Sequence, residues 1–329
     1  MNRILIVGLG SIGLRHLNCL LEIGEYNIGA LRTNRGTLTP DLSLLEKIKI
    51  FTDLNEAIGW NPTHVIISNP TSLHSHYFKI FSKLNLQVFV EKPFLGDIDL
   101  TLLSDDFLNI IKNTPGMVGF NLRFHGLFRE IKKIIQSSVY GKPLSACLMV
   151  GYYLPFWHPY EDYRKSYVAN KNLGGGAIRT LSHEIDLSQY LFGKFKKVFT
   201  KLGKVSELEI DVDDTADILL ETELCTRISI HNDLLSPQIK RKGYIYFEKG
   251  YLEYDFINAE INYTSYEMRQ PQVIYNQKED YDLQYKSQMT DFLRNCNDTG
   301  CTFSEGLEVD KLIAYSMISN NNGVEICLI

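Results

Sequence analysis

A chain of 329 residues is long enough for two domains, and a hydrophobic content of 44% provides apolar side chains for their cores. The formal net charge of −5 gives no indication of a nucleic-acid surface, and no apolar run reaches the length of a membrane span. The apolar start lacks the small-residue cleavage site of a secretory signal. The six cysteines form no C-x-x-C pair, so we expect reduced thiols in a cytoplasmic protein and no metal site.

The first element is a short apolar run, Ile4 to Val7, which predicts a strand buried on both faces. It leads into Gly8, Gly10 and Gly13, spaced as G-x-G-x-x-G, and a helix is predicted over Ser11 to Leu21. In a dinucleotide site the first glycine permits a tight turn, the second lets the pyrophosphate approach the backbone, and the third lets the helix pack on the strand. The N-terminus of the helix supplies N–H groups for the phosphates. We therefore predict that a cofactor contacts Gly8, Gly10, Ser11, Ile12 and Gly13. The alternative is a tight strand-to-helix turn without a ligand.

A second strand is predicted from Tyr26 to Leu31, and the residues after it determine which dinucleotide binds. An acidic residue there binds the ribose 2′-hydroxyl of NAD, whereas an arginine accommodates the 2′-phosphate of NADP. The chain has no acid at this point but carries Arg32, Thr33 and Arg35. We expect these three residues to bind the phosphate, which favours NADP while leaving NAD possible. The alternative is that both arginines are ordinary surface charges.

Strands and helices continue to alternate up to residue 120. The remaining strands are predicted over Lys49–Thr52, His64–Ser68, Leu86–Val90 and Gly116–Phe120, with helices at Leu54–Ile58, Ser72–Leu84 and Asp97–Lys112. Six strands alternating with helices predict a doubly wound parallel sheet of the Rossmann type. Ligands of such a sheet bind at the carboxyl ends of its strands, where Gly8, Asn69 and Glu91 lie.

The pattern changes after residue 122, so we predict a Rossmann domain over residues 1–122 and an α+β domain over 123–329. The second domain opens with a helix at Phe124–Gln136 and a strand at Pro143–Tyr153. Successive strands without intervening helices then predict an open, mainly antiparallel sheet. These strands are Lys197–Lys204, Thr215–Glu221, Arg227–Asn232, Lys242–Phe247, Tyr251–Phe256 and Ile261–Ser265. Helices over Tyr285–Asn295 and Ser304–Ser319 close the chain.

A long aromatic and polar segment, Leu154 to Asn172, joins the first strand of this domain to a glycine-rich stretch. Aromatic faces interleaved with hydroxyl and charged groups suit sugar rings, so we expect Trp157 and Tyr163 to line the substrate. A packed surface loop is the alternative.

Five stretches, taken in order, identify a family. They are Gly-Leu-Gly-Ser-Ile-Gly from Gly8, Asn-Pro-Thr-Ser-Leu-His from Asn69, Glu-Lys-Pro from Glu91, Gly-Phe-Asn-Leu-Arg-Phe from Gly119, and Gly-Gly-Gly-Ala-Ile-Arg-Thr-Leu-Ser-His-Glu-Ile-Asp from Gly174. Each is weak alone, but together they resemble the Gfo/Idh/MocA family of NAD(P)-dependent oxidoreductases, named for glucose-fructose oxidoreductase and inositol dehydrogenase.

The resemblance implies roles for the residues in these stretches. Asn69, Pro70, Thr71 and His74 correspond to the segment that touches the nicotinamide ribose. Glu91 and Lys92 correspond to the catalytic strand end, where the lysine contacts the nicotinamide side and the reacting hydroxyl. His183 corresponds to the family histidine that serves as acid/base or substrate ligand. We place Asn121, Arg123 and Arg179 beside the substrate together with His183.

The chain departs from the family pattern just before His183. Many members carry an aspartate three or four residues earlier, where this chain has Arg179 and Thr180. Three readings stay open: His183 works without a carboxylate, a carboxylate from elsewhere serves, or the chemistry is altered.

The resemblance implies an oxidoreductase acting on a sugar-like small molecule, with Lys92 and His183 as catalytic residues. Arg15, His16 and the cysteines are expected to have no catalytic role. The alternatives are a glycoside hydrolase that oxidises its sugar transiently, and a cofactor-binding regulator. Family members commonly pair through the second sheet, which implies a homodimer or homotetramer.

Overall fold

The computed structural model describes residues 2–24, 26–32, 41–96, 98–157, 159, 162–225, 227–295 and 299–328. The chain divides into two compact units. The first comprises residues 1–124 and 281–307, and the second comprises residues 125–280 and 308–329.

The first unit contains a parallel sheet flanked by helices. Its strands are β1 (Arg3–Val7), β2 (Asn27–Leu31), β3 (Lys49–Phe51), β4 (His64–Ile67), β5 (Gln87–Val90) and β6 (Gly116–Val118). The helices between them are α1 (Ser11–Ile23), α2 (Leu42–Leu45), α3 (Leu54–Gly59), α4 (His74–Phe81) and α5 (Asp105–Asn113). The strand order β3-β2-β1-β4-β5-β6, with every pair parallel, confirms the predicted Rossmann sheet.

Two predicted helices of this unit are shorter in the structure. The first, a helix predicted over Ser72–Leu84, is replaced at its start by a 3₁₀ turn at Thr71–Leu73, and α4 follows from His74 to Phe81. The predicted helix over Asp97–Lys112 begins only at Asp105. Its N-cap is Ser104, whose hydroxyl accepts a hydrogen bond from the N–H of Phe107 at 3.3 Å.

The second unit is built on a nine-stranded sheet. Its elements up to residue 280 are α6 (Gly126–Ser137), β7 (Pro143–Gly151), α7 (Leu154–Trp157), α8 (Ala177–Thr180), α9 (His183–Phe192), β8 (Phe195–Gly203), β9 (Thr215–Thr222), β10 (Arg227–Asp233), β11 (Lys240–Phe247), β12 (Gly250–Asp255), β13 (Glu260–Ser265) and β14 (Pro271–Asn276). The chain ends with α10 (Leu283–Arg294), α11 (Phe303–Asn322) and β15 (Ile326–Cys327).

Strand order in this sheet is β14-β13-β12-β11-β7-β10-β9-β8-β15. Every pair is antiparallel except β7 with β10, which are parallel, so the predicted mainly antiparallel sheet is confirmed. Buried and exposed residues alternate along the central strands, and α9 packs against β7, β9 and β10. Two strands were not predicted from the sequence. The residues of β14 are mostly exposed and show no apolar alternation, and β15 has only two residues.

The predicted boundary between the domains differs from the structure at one segment. Residues 281–307 were expected in the second domain but belong to the first unit. The reason is apolar packing: Tyr285, Met289 and Phe292 of α10 join the core that contains Leu17 and Leu20 of α1. Sequence spacing could not indicate this return, because an amphipathic helix does not name the surface that buries its apolar face.

Candidate active site

The turn between β1 and α1 has the geometry of a dinucleotide-binding loop. Gly8 has φ +97°, and a Cβ on it would lie 2.9 Å from the backbone of Asn69. A Cβ on Gly13 would overlap the carbonyl oxygen of Gly8, so only glycine allows α1 this close to β1. A Cβ on Gly10 would meet no atom within 4 Å among the described residues. The turn therefore packs tightly against the protein at Gly8 and Gly13, whereas the space beside Gly10 is free for a ligand.

The N-terminus of α1 follows this open position. Gly10 is the N-cap, and among the described residues no side chain caps the helix and no acid lies in its first turn. Ser11 is exposed at the first helical position and Ile12 is partly buried. These backbone N–H groups and the positive end of the helix dipole are suited to an anion such as a pyrophosphate.

Arg32 follows β2 directly and is partly exposed. Its backbone N–H donates to the carbonyl of Phe51 at 2.9 Å, which fixes its main chain beside β3. Thr33 and Arg35, which we predicted to assist it, lie outside the described residues.

The loop after β4 is tied to the loop after β5 by a buried histidine. Nδ1 of His74 lies 2.8 Å from the carbonyl oxygen of Pro93, and Nε2 lies 2.9 Å from that of Asn69. Burial lowers the pKa of His74, so the neutral ring, which has one N–H, is favoured. The neighbouring Thr71 is also buried. His74 was predicted to touch the nicotinamide ribose; here it contacts backbone carbonyls.

Asn69 leaves a polar atom unused at this edge. Its Oδ1 is buried and has no hydrogen-bond partner among the described residues. Pro70 follows it with an exposed ring, and the Asn69 backbone packs against Gly8. An unsatisfied buried acceptor beside the glycine turn is suited to a ligand hydroxyl.

Glu91 and Lys92 follow β5, and their surroundings differ. Glu91 is 7% exposed and its Oε1 lies 2.7 Å from Nε2 of His16, a residue that is completely buried on α1. Its Oε2 accepts the backbone N–H of Lys92 at 3.2 Å. Lys92 is partly exposed, and its bond to Pro93 is cis. Glu91, predicted to contact the cofactor, is thus engaged by the protein itself.

The His16–Glu91 pair was not predicted from the sequence. His16 was excluded from catalysis as a residue of the first helix, and its partner lies 75 positions away. The available signal was its spacing: it lies three residues after Gly13, on the face of α1 that also buries Leu17 and Leu20.

Asn121 and Arg123, predicted to bind substrate, lie in a 3₁₀ turn of the first unit and are buried. Nη1 of Arg123 donates to Oε1 of Glu305 at 3.1 Å and to the carbonyl of Gly300 at 3.4 Å. With 2% of its surface exposed, Arg123 links the 3₁₀ turn to Gly300 and to Glu305 in the first turn of α11. Burial opposes ionisation of Glu305, but Arg123 lowers the pKa of this carboxyl below its usual value.

In the second unit, His183 is the first residue of α9 and is partly exposed. The two residues that replace the family aspartate, Arg179 and Thr180, end the short helix α8 and are buried. Arg179 Nη2 lies 3.5 Å from the sulfur of Met317. A carboxylate does lie near α8: Asp213 accepts the N–H of Ile178 at 2.9 Å, and burial raises its pKa.

The acidic residues after His183 face the interior of the unit. Glu184 is completely buried and its Oε1 accepts from Nε of Arg241 at 2.7 Å. Asp186, one helical turn after His183, is also completely buried. The charged pair of Glu184 with Arg241 anchors α9 to β11, since leaving either partner alone in the interior would be costly.

The aromatic segment after β7 contains α7 and 3₁₀ turns at Tyr163–Lys165, Tyr167–Ala169 and Lys171–Leu173. Trp157 stacks on Tyr152 at 5.0 Å between ring centroids. Tyr163 accepts the N–H of Glu209 at its hydroxyl, 3.3 Å away. Both rings pack against an apolar cluster that includes Leu154. Each therefore has a packing role, whatever else it contacts.

The thiols are spread through the described parts of both units. Cys19, Cys225 and Cys301 are buried, whereas Cys147 and Cys327 are exposed. Burial, with smaller contributions from neighbouring charges, raises the pKa of Cys19 to about 11, which keeps its thiol protonated and unreactive. Cys296 lies outside the described residues.

Among the described residues, no group of three or more His, Cys, Asp or Glu side chains is arranged to hold a metal ion. No helix within the described ranges combines the length and the apolarity needed to span a membrane.

Comparison with known sequences matches both parts of the chain to one family. Residues 2–100 match the NAD-binding Rossmann fold of an oxidoreductase family, GFO/IDH/MocA, and residues 128–253 match the GFO/IDH/MocA C-terminal domain. A myo-inositol 2-dehydrogenase of Thermotoga maritima is 28% identical over 229 residues, covering 66% of this chain and 64% of that protein. An uncharacterised oxidoreductase of Bacillus subtilis is 26% identical over 226 residues, covering 66% and 63%. The matched regions thus span just under two thirds of these relatives.

Solved structures share the fold over the whole chain. A levoglucosan dehydrogenase in complex with NADH has a TM-score of 0.84 at 16% identity, covering 100% of this chain and 99% of that one. A myo-inositol dehydrogenase from Corynebacterium glutamicum has a TM-score of 0.78 at 20% identity, with the same coverage. The family matches of both sequence regions, which together cover more than half of the chain, establish that it belongs to the GFO/IDH/MocA family of oxidoreductases.

Proposed function

We propose that the protein is an NAD(P)-dependent oxidoreductase that acts on a hydroxyl-bearing carbon of a sugar or sugar derivative. The observation that carries this proposal is the set of groups at the carboxyl edge of the parallel sheet. The open glycine turn follows β1, Asn69 follows β4 and Lys92 follows β5. A relative named myo-inositol 2-dehydrogenase supports a polyhydroxylated substrate.

The residues of the first unit fit a dinucleotide. Gly10 leaves space at the N-terminus of α1 for a pyrophosphate, with Ser11 and Ile12 in the first helical turn. The unsatisfied Oδ1 of Asn69 is suited to accept from a ribose hydroxyl. We infer that NADP is preferred over NAD, because Arg32 stands where NAD enzymes of this fold carry an acid.

The bound nicotinamide would accept or supply the hydride. The protein must then manage one proton and the charge that develops on the substrate oxygen. We assign oxygen stabilisation to the ammonium of Lys92, a positioned donor. We assign the proton to His183, since an imidazole titrates near neutral pH.

The substrate is proposed to bind among the polar and aromatic residues that the sequence singled out in the second unit. Trp157 and Tyr163 are held by packing, which favours a rigid wall for a sugar ring. Arg179 lies close to His183 in sequence but is itself buried, with 6% of its surface exposed. Asn121 and Arg123 are less suited to direct contact, because both are buried in the first unit.

The direct test is turnover. Purified protein is incubated with NADP⁺ or NAD⁺ and a panel comprising myo-inositol, levoglucosan, free hexoses, amino sugars and nucleotide-linked sugars, while nicotinamide absorbance is recorded. We expect net reduction of the cofactor with at least one member. Lys92→Met and His183→Ala are each expected to slow this turnover about a hundredfold to a thousandfold while leaving NADP affinity nearly unchanged.

Other outcomes would contradict the proposal in distinct ways. Cleavage of a glycoside without net change in absorbance would identify a hydrolase that oxidises its sugar transiently. Cofactor binding without turnover across the panel would favour a regulator. Full turnover by His183→Ala together with inactive Lys92→Met would assign the proton to the lysine.

We also propose that the protein forms homo-oligomers through the open face of the nine-stranded sheet. Neighbouring outward residues in one row across this face include Phe199 and Leu219, which are 37% and 54% exposed, followed by Ser229, Cys147 and Tyr244. Phe199 and Leu219 are neighbouring exposed apolar side chains in this row, and adjacent exposed apolar residues are typical of a protein interface. A second copy is the partner that the family relationship favours.

A further inference from the structure

The short segment Glu91-Lys92-Pro93 is held by buried histidines on both sides of Lys92. On one side, Oε1 of Glu91 lies 2.7 Å from Nε2 of His16, and Oε2 accepts the N–H of Lys92 itself. On the other side, the carbonyl oxygen of Pro93 lies 2.8 Å from Nδ1 of His74. The backbone on either side of the lysine therefore contacts a buried imidazole, while the lysine side chain is partly exposed.

The contact with His16 has little freedom to rearrange. His16 is completely buried, its ring meets Phe89 edge-on at 5.1 Å between centroids, and its Nδ1 has no hydrogen-bond partner among the described residues. Because a carboxylate can only accept, Nε2 carries the proton and donates to Glu91. Gly119 also packs closely against the carboxylate of Glu91, since a Cβ on Gly119 would lie 2.9 Å from Oε1 of Glu91.

A buried carboxylate is costly, so a single well-aligned donor has a large influence on where it sits. In Glu91 that carboxylate is also a direct acceptor for the backbone of the next residue. Moving His16 would therefore move Glu91 and, through it, the main chain from which the Lys92 ammonium is projected. Displacing a reacting group by about 1 Å can slow a reaction about a hundredfold.

We propose that His16 and His74 are positioning residues for Lys92. This inference rests on the catalytic role proposed above for the lysine, and neither histidine is assigned contact with substrate. It also explains why a histidine of the glycine-loop helix belongs to the site: α1, drawn against β1 at Gly13, brings an imidazole to the end of β5.

The first experiment compares two substitutions of His16 with a matched control. His16→Leu removes the donor, whereas the terminal amide of His16→Gln can place an N–H near the position of Nε2. His64→Gln is the control, because His64 is a buried histidine of the same unit, on β4, that contacts Thr63 at 2.9 Å and Phe292 rather than Glu91. The panel member with the highest turnover serves as substrate.

We expect His16→Leu to lower kcat about tenfold to a hundredfold, with KM and NADP affinity within about twofold of wild type. His16→Gln is expected to recover most of the loss, and His64→Gln to retain wild-type kcat. His74→Leu is expected to behave like His16→Leu, with partial recovery in His74→Asn. Unchanged kcat in His16→Leu, or a loss of kcat in the control His64→Gln as large as that in His16→Leu, would overturn the proposal.

A second experiment separates this proposal from the proposed function. In a Lys92→Met background, His16→Leu is expected to cause no further loss of turnover, since it acts through the lysine. A further loss as large as in the wild-type background would contradict positioning. If Lys92→Met itself keeps full turnover, the proposed function fails, and activity can no longer report on His16.

In that case the position of Lys92 can be tested by a measurement that does not depend on turnover. The rate at which acetic anhydride acylates Lys92, mapped by mass spectrometry, is compared with the rate at the exposed Lys112 of α5. We expect His16→Leu to change the ratio of the two rates severalfold and His64→Gln to leave it unchanged. An unchanged ratio in His16→Leu would overturn the positioning proposal independently of catalysis.

Discussion

At the residue scale, the proposed preference for NADP depends on Arg32, the residue that follows β2. Its backbone is fixed by the bond to Phe51, so the guanidinium starts from a defined point beside β2. The same place carries an acid in enzymes of this fold that bind NAD, and a carboxylate there would repel a 2′-phosphate. A planar guanidinium instead forms charge-assisted hydrogen bonds with phosphate.

We predict that Arg32→Asp shifts preference from NADP toward NAD. Loss of a charge-assisted contact with the 2′-phosphate is expected to cost about 1.5–3 kcal/mol, which corresponds to about tenfold to a hundredfold in affinity. Dissociation constants for both cofactors, measured by titration of protein fluorescence, test this. Tighter binding of NAD than of NADP by the wild-type protein would contradict the assignment.

The element formed by β1, the glycine turn and α1 combines two requirements that can be separated by mutation. Gly13 serves the fold, because its missing Cβ allows α1 to contact the turn. We propose that Gly10 instead serves the ligand, because its φ of −74° suits any residue and a Cβ there would meet no atom within 4 Å in the described part of the chain. Alanine should therefore lower stability at position 13 and cofactor affinity at position 10.

We predict that Gly13→Ala lowers the free energy of unfolding by about 1–3 kcal/mol, because the added methyl group overpacks the turn. Gly10→Ala is expected to leave stability nearly unchanged but to raise the dissociation constant for NADP at least about tenfold, or 1.4 kcal/mol. Denaturant unfolding and cofactor titration give the two quantities. Gly59→Ala, at another glycine with open space around its Cα, is the control. If Gly10→Ala binds NADP as wild type does, the pyrophosphate does not approach this turn.

At the scale of the whole molecule, one face of the nine-stranded sheet exposes apolar side chains to solvent. Its outward residues lie on consecutive strands in register, so the row from Phe199 to Tyr244 is continuous rather than scattered. Single exposed apolar residues are common on protein surfaces, whereas a contiguous row favours association.

We predict that Leu219→Glu weakens self-association, because each closed contact between two copies would bury the new carboxylate without a partner. Sedimentation velocity is expected to show a shift toward monomer in this variant at concentrations where the wild type is oligomeric. Val205→Glu is the control, since Val205 is 71% exposed but lies outside the strands. A monomeric wild-type protein would remove the basis of the interface proposal.

The sequence alone determined the architecture and the location of the candidate site. Buried apolar runs alternating with helices specify a parallel sheet, and ligands of such a sheet bind where its strands end, so the strand ends at Gly8, Asn69 and Glu91 could be found from local patterns. The family resemblance, rather than a local pattern, singled out Lys92. These features depend on residues close together in the chain, which is why spacing and composition reveal them.

Only the tertiary structure decided which residues support that site. The His16–Glu91 and Arg123–Glu305 pairs join residues 75 and 182 positions apart, and no local pattern states which buried charge meets which partner. The same reason explains why α10 returned to the first unit: its apolar face was evident, but the surface of α1 that covers it was not. Local periodicity fixes the elements and their exposed ends, whereas buried polar contacts between distant segments are fixed only when the chain packs.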